Sequence, residues 1–116
     1  MTIKVILTVP ERVNFPSIMP LQGSLAEVDM INTLNERVKI TEQEAEEYRY
    51  TTLLDGRFAY DATKARPREF TFESYEILLI QQGISSHDER KTLRPWNAEL
   101  AKKIKAIQVK SKNTKP

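Results

Sequence analysis

The 116-residue chain contains no cysteine. Disulfides, thiolate zinc sites, iron–sulfur clusters and cysteine nucleophiles are excluded together, and a cytoplasmic setting is the expected one. Only three glycines occur, Gly23, Gly56 and Gly83, far apart. Neither a dinucleotide-binding turn nor a phosphate-cradling P-loop can be built from them. The single histidine, His87, rules out a paired-imidazole metal site, and no Gly-x-Ser-x-Gly elbow occurs, so a Ser-His-Asp arrangement is unsupported. The longest apolar runs, Val5-Ile6-Leu7 and Ile77-Leu78-Leu79-Ile80, fall far short of the roughly 20 residues that span a bilayer. Pro10, Glu11 and Arg12 stand where a leader peptide would need a small-residue cleavage site, so neither secretion nor a membrane partner is expected. No cofactor is expected either.

What is present is an ordinary balance for one folded domain, 40% apolar and 29% charged residues. The net charge of +2 is unevenly spread. Six lysines and no acid lie from Lys102 onward, which leaves twelve bases against sixteen acids before it, a net of −4. The expected organisation is a globular domain over residues 1–109 and a disordered basic tail over 110–116.

Four Ser/Thr-x-x-Glu boxes mark helix starts: Thr8 to Glu11, Ser24 to Glu27, Thr41 to Glu44 and Ser86 to Glu89. In each, the two side chains satisfy one another's backbone N–H groups. A short helix over 9–15 is reinforced by Pro10 and stopped by Pro16 and Pro20. Leu25, Val28, Ile31, Leu34 and Val38 recur at helical spacing, and a short exposed acidic helix follows Thr41. Ile3, Val5 and Leu7 suggest a short strand. Asp55-Gly56 between Leu53-Leu54 and Arg57-Phe58 favours a hairpin, over a helix running through Leu54, with Leu53 opposite Phe58 and Thr51 opposite Tyr60. Residues 68–72 alternate and would join Phe58 and Tyr60 in one small sheet. Tyr75 to Gln82 reads as a helix stopped by Gly83. A short helix follows Ser86, and Trp96, Leu100, Ile104 and Ile107 mark the packed face of a last one. The fold class is thus α+β, mainly helical, with about five helices and a small antiparallel hairpin or sheet.

Functional candidates are then sparse. His87 sits at an expected helix start and is read as solvent-exposed. The carboxylates Glu42, Glu44, Glu46 and Glu47 form an exposed acidic face rather than a catalytic pair, and are candidate contacts for a partner protein. Arg57, Lys64, Arg66 and Arg68 interleave with Phe58, Tyr60, Phe70 and Phe72 around the expected sheet. With Lys110, Lys112 and Lys115 of the tail they are candidate nucleic-acid contacts, by phosphate neutralisation and base stacking. The leading expectation is a non-enzymatic protein that binds another protein; nucleic-acid binding is the second reading. An unrecognised enzyme, its pocket assembled from residues remote in sequence, is the third, and so small a body also allows a homodimer closed over leftover apolar surface.

Taken in order, Thr8-Val9-Pro10-Glu11-Arg12, Ile18-Met19-Pro20-Leu21-Gln22-Gly23, Ile40-Thr41-Glu42-Gln43-Glu44 and Phe70-Thr71-Phe72 before Glu76 resemble small uncharacterised proteins encoded by bacteriophages and prophages. The resemblance extends over about residues 5–108. It implies an accessory or host-directed role, in the host cytoplasm, and carries over no active-site residue.

Overall fold

Three of the four expected boxes close. Thr8, Ser24 and Thr41 each accept the N–H of a glutamate three residues on, and that glutamate accepts the cap residue's own N–H. They open α1 (Val9–Asn14), α2 (Leu25–Val38) and α3 (Glu42–Glu47). A computed structural model describes residues 2–109. The expected tail, with Lys110, Lys112 and Lys115, lies outside the described residues.

The fourth box does not start a helix. Helix α4 (Ser74–Glu89) runs unbroken through Gly83 and Ser86, and opens on a box formed by Glu73 and Glu76. Gly83 is therefore not a stop. A Cβ at that position would lie 2.5 Å from Pro20 N and 2.8 Å from the Ile18 carbonyl oxygen, so the glycine admits the Pro20 turn against the helix. The actual stop is Lys91 at φ 58°, with Thr92 N–H bonded to the His87 carbonyl at 2.9 Å and Lys91 N–H to that of Asp88 at 3.1 Å. That is the two-bond left-handed closure usually given to glycine. Arg49, at φ 55°, closes α3 the same way. His87, expected exposed, is instead buried. Its Nε2 lies 2.9 Å from the Met19 carbonyl and its Nδ1 2.8 Å from Thr92 Oγ1.

The sheet pairing also differs from expectation. Strand β1 (Thr2–Leu7) pairs antiparallel with β4 (Arg68–Glu73), Val5 opposite Phe70 and Ile3 opposite Phe72. The hairpin of β2 (Thr51–Thr52) and β3 (Phe58–Ala59) forms a separate two-stranded sheet. β1 matches β4 over six residues where β3 has two, and the pairing buries Val5, Leu7, Phe70 and Phe72 on one face. The Ile6 carbonyl of β1 accepts from Lys103 at 2.7 Å and the Thr71 carbonyl of β4 from Arg37 at 3.3 Å, so neither strand offers an unbroken row of acceptors to another chain.

Against that face pack Phe15 and Ile18, which lie on a 3-10 turn (Phe15–Ile18) after α1, together with Ile31, Leu34 and Val38 of α2 and Ile77, Ile80 and Ile84 of α4. Helix α5 (Pro95–Lys105) adds Leu100, Ala101 and Ile104. Through this core runs a buried guanidinium. Arg12, 1% exposed, donates from Nε to the Val38 carbonyl at 2.9 Å and from Nη2 to that of Lys39 at 3.0 Å. It also grips Glu44 with both terminal nitrogens, at 2.8 and 2.7 Å, and lies 5.1 Å from the Phe70 ring centre. A second pair repeats the scheme: Arg37 holds both oxygens of Glu76 at 3.0 Å over Phe72. Burial pushes the Glu76 carboxyl up, but Arg37 and the Glu73 N–H outweigh it and the carboxyl sits below its ordinary range.

Arg12 and the Thr41 N–H together hold the Glu44 carboxyl at about 2, against 4.5 in the free side chain. The unfolded chain therefore takes up this proton first as the pH falls. The contribution, on the order of 3 kcal/mol, is complete above the ordinary carboxylate range and drains away as the pH drops from about 4.5 toward 2. Denaturant unfolding across that window should show the loss, and Glu44→Gln should flatten it while lowering stability at neutral pH. Gly83→Ala should destabilise by about 1–3 kcal/mol in the same assay, because the clash with Pro20 outweighs the roughly 1 kcal/mol that alanine gains in a helix.

A candidate binding cleft between the hairpin and two helices

Of the expected acidic contacts, Glu42, Glu46 and Glu47 are exposed on α3. Glu44 is not available; it is the partner of Arg12 and lies 3.6 Å from Arg68.

The expected basic and aromatic face is not one surface. Phe70 and Phe72 are buried in the core. Arg68 lies 5.0 Å over the Phe70 ring and faces Glu44. Arg57 is paired with Asp55 at 2.7 Å, and Arg66 donates to the Thr63 and Ala65 carbonyls of its own loop at 3.0 and 3.1 Å. Lys64 is exposed on that loop. What these side chains share is sequence proximity rather than a common face.

A different site emerges from the hairpin turn. Leu53 N–H bonds to the Arg57 carbonyl at 2.6 Å and Gly56 N–H to that of Leu53 at 3.0 Å, with Gly56 at φ 88°. The loop therefore has three residues, Leu54-Asp55-Gly56, and glycine takes the left-handed position such loops need. The register slips by one from the expected pairing, to Thr52 opposite Phe58 and Thr51 opposite Ala59. One slip moves side chains between faces. Tyr50 now shares a face with Phe58 and Tyr60, and the three rings stack, at 5.8 Å between Tyr50 and Phe58 and 6.0 Å between Phe58 and Tyr60.

Each stacked ring lines a cleft. Phe58 lines one of about 680 Å³, with Pro10 and Val13 of α1, Gly56 and Arg57 of the turn, and Trp96 of α5. Tyr60 and Tyr50 line two smaller ones, of about 170 and 220 Å³. Trp96, expected on the packed face of α5, is 59% exposed; Asn97 takes the inward position at 2%. The exchange follows from the start of the helix. The Arg94 N–H is capped by Asn97 Oδ1 at 2.8 Å, and Asn97 Nδ2 donates to Ser17 Oγ at 3.0 Å, so the polar residue faces the body and rotates Trp96 outward. The Trp96 backbone is pinned as well, its carbonyl accepting from Asn14 Nδ2 at 3.2 Å.

The cleft lining thus includes a largely exposed indole on a fixed backbone, a phenyl ring, a proline and a valine. Asp55 and Arg57 neutralise one another at its rim. Such a lining desolvates an apolar segment at little ordering cost. Among the described residues no group of three or more metal-ligating side chains converges, and no helix is long and apolar enough to cross a membrane.

No family model, curated protein or solved structure matches the chain.

Because Trp96 is the chain's only tryptophan, its emission reads the cleft directly. In the dilute protein it should be that of a water-exposed indole and be quenched by acrylamide nearly as readily as the free amino acid. A blue-shifted, shielded emission would show that the ring is packed on α5 instead.

Proposed function

We propose that this chain is a non-catalytic binding protein that receives an apolar segment of another protein in the cleft between the hairpin and helices α1 and α5. The setting is an accessory, host- or phage-directed role of the kind its resemblance to phage and prophage proteins implies. The carrying observation is Trp96, more than half exposed on a backbone fixed by Asn14 and the Asn97 cap. Exposed large apolar groups on rigid supports are what binding anchors consist of, since little conformational freedom is lost when they are covered. The acids Glu42, Glu46 and Glu47 of α3 would then steer approach rather than form the contact.

Nucleic acid fits the same surface less well. Base stacking needs open ring faces, and the faces of Tyr50, Phe58 and Tyr60 are largely spent on one another. Arg57, Arg66 and Arg68 are likewise engaged within the chain.

The test places a photo-crosslinking benzoylphenylalanine at position 96 of the full chain, irradiated in extract of cells that express it. Discrete protein adducts that disappear when Phe58→Asp is added support the reading. Nuclease-sensitive adducts would replace it with the nucleic-acid reading, and a chain that yields no adduct would overturn both.

A further inference from the structure

The cleft has a candidate occupant on its own edge. Leu54, at the hairpin tip, is fully exposed, with a relative accessibility of 110%, and Leu53 beside it is 41% exposed. The next three residues, Asp55, Gly56 and Arg57, form one wall of the cleft. An apolar knob and an apolar hole therefore stand side by side on one loop. At Gly56 the wall is open; nothing lies within 4 Å of where a side chain would begin.

We propose that, when no other partner is bound, the cleft is filled by a second copy of this chain, Leu54 of each copy seated in the cleft that Trp96 and Phe58 of the other help to line. The proposal rests on the reading of the cleft as a protein-docking surface, and names its resident occupant. A knob next to its own hole is the condition for a two-fold, isologous contact, in which each copy gives and receives the same group and the assembly closes at two. Charge agrees with that symmetry. Asp55 and Arg57 sit 2.7 Å apart at the rim and cancel one another's charge, so two identical rims meet without a net like-charge repulsion. An incoming partner segment would compete with Leu54 for the same space, so self-association would gate partner binding.

The second exposed apolar strip, Leu21, Leu25 and Val28 at the start of α2, makes a poorer self-contact. Glu27 and Asp29 border it with no base among residues 21–32, so pairing two copies there would bring like charges together. Size sets the strength of the proposed contact. Two loop tips in two clefts cover less than the roughly 1,200 Å² typical of stable complexes. The dimer should be weak and should dissociate on dilution.

Light scattering over a dilution series of the full chain, with Trp96 emission recorded on the same samples, decides the matter. The expected result is a mass rising from one chain to two with concentration, accompanied by a blue shift of the indole. Leu54→Asp should raise the concentration for half-association about tenfold or more. Its thermal unfolding when dilute should be unchanged, because residue 54 is fully exposed. A single-chain mass at every concentration overturns the proposal. So does a dimer indifferent to Leu54→Asp, or one abolished by Leu25→Asp in its place. A monomer whose position-96 crosslinker still captures a different protein removes the second copy and leaves the docking reading standing; a monomer that captures nothing removes both.

Discussion

The fold depends first on the Arg12 guanidinium. Helix α2 ends with backbone carbonyls that no following turn can satisfy, and Arg12 donates to two of them, at Val38 and Lys39. Its remaining charge is met by Glu44 and its flat face by Phe70. One side chain of α1 thereby fixes the end of α2, the start of α3 and the position of β4. A buried ion pair of this kind adds little over well-packed apolar groups of the same volume, yet removing one partner leaves an unmatched charge in the core at a cost of about 3–5 kcal/mol. Its value lies in arrangement: competing packings strand the guanidinium.

The same device recurs at other helix starts. Glu11, Glu44 and Glu76 each sit at the third position of a helix, accept the N–H of their own cap residue, and hold a cation from another element. Lys103 of α5 reaches Glu11 at 2.8 Å, Arg12 reaches Glu44 and Arg37 reaches Glu76. A residue chosen for local capping thus also positions a distant helix. Glu27, in the same place on α2, accepts from Ser24 alone among the described residues. It lies on the turn where Leu25 and Val28 are left exposed.

This double use explains what the sequence disclosed. Capping boxes are local, so Thr8, Ser24 and Thr41 read correctly as helix starts, and the α+β, mainly helical class followed. Ser86 to Glu89 has the same spacing but lies inside α4, because Gly83 faces Pro20 and has no reason to end the helix. The expected break at Gly83 also misplaced His87, which a continuous helix carries inward to Met19 and Thr92. Pairing of β4 with β1 joins residues some 70 positions apart in sequence, and alternation alone does not choose between partners. The site was less legible still. Asp-Gly signalled the hairpin, but loop length, hence register and the placing of Tyr50, turns on whether Leu54 joins the turn. Trp96 fitted a helical stripe with Leu100, and only the Asn97 to Ser17 bond, across 80 residues, shows why it faces out.

The distribution of satisfied and unsatisfied groups then bears on function. Among the described residues Arg12, Glu76, His87 and Asn97 are the buried polar ones, and each is bonded to a structural partner. Their hydrogen bonds hold elements of the fold together. Exposed apolar side chains occur in several places, among them Trp96 in the lining of the cleft and Leu53 and Leu54 on the adjoining hairpin, beside the Asp55–Arg57 ion pair. Uncovered apolar surface of this kind gains free energy only when another surface excludes water from it. On the proposed reading that other surface is a partner's, and its fit would be set by the side chains lining the cleft, Trp96 and Phe58 among them.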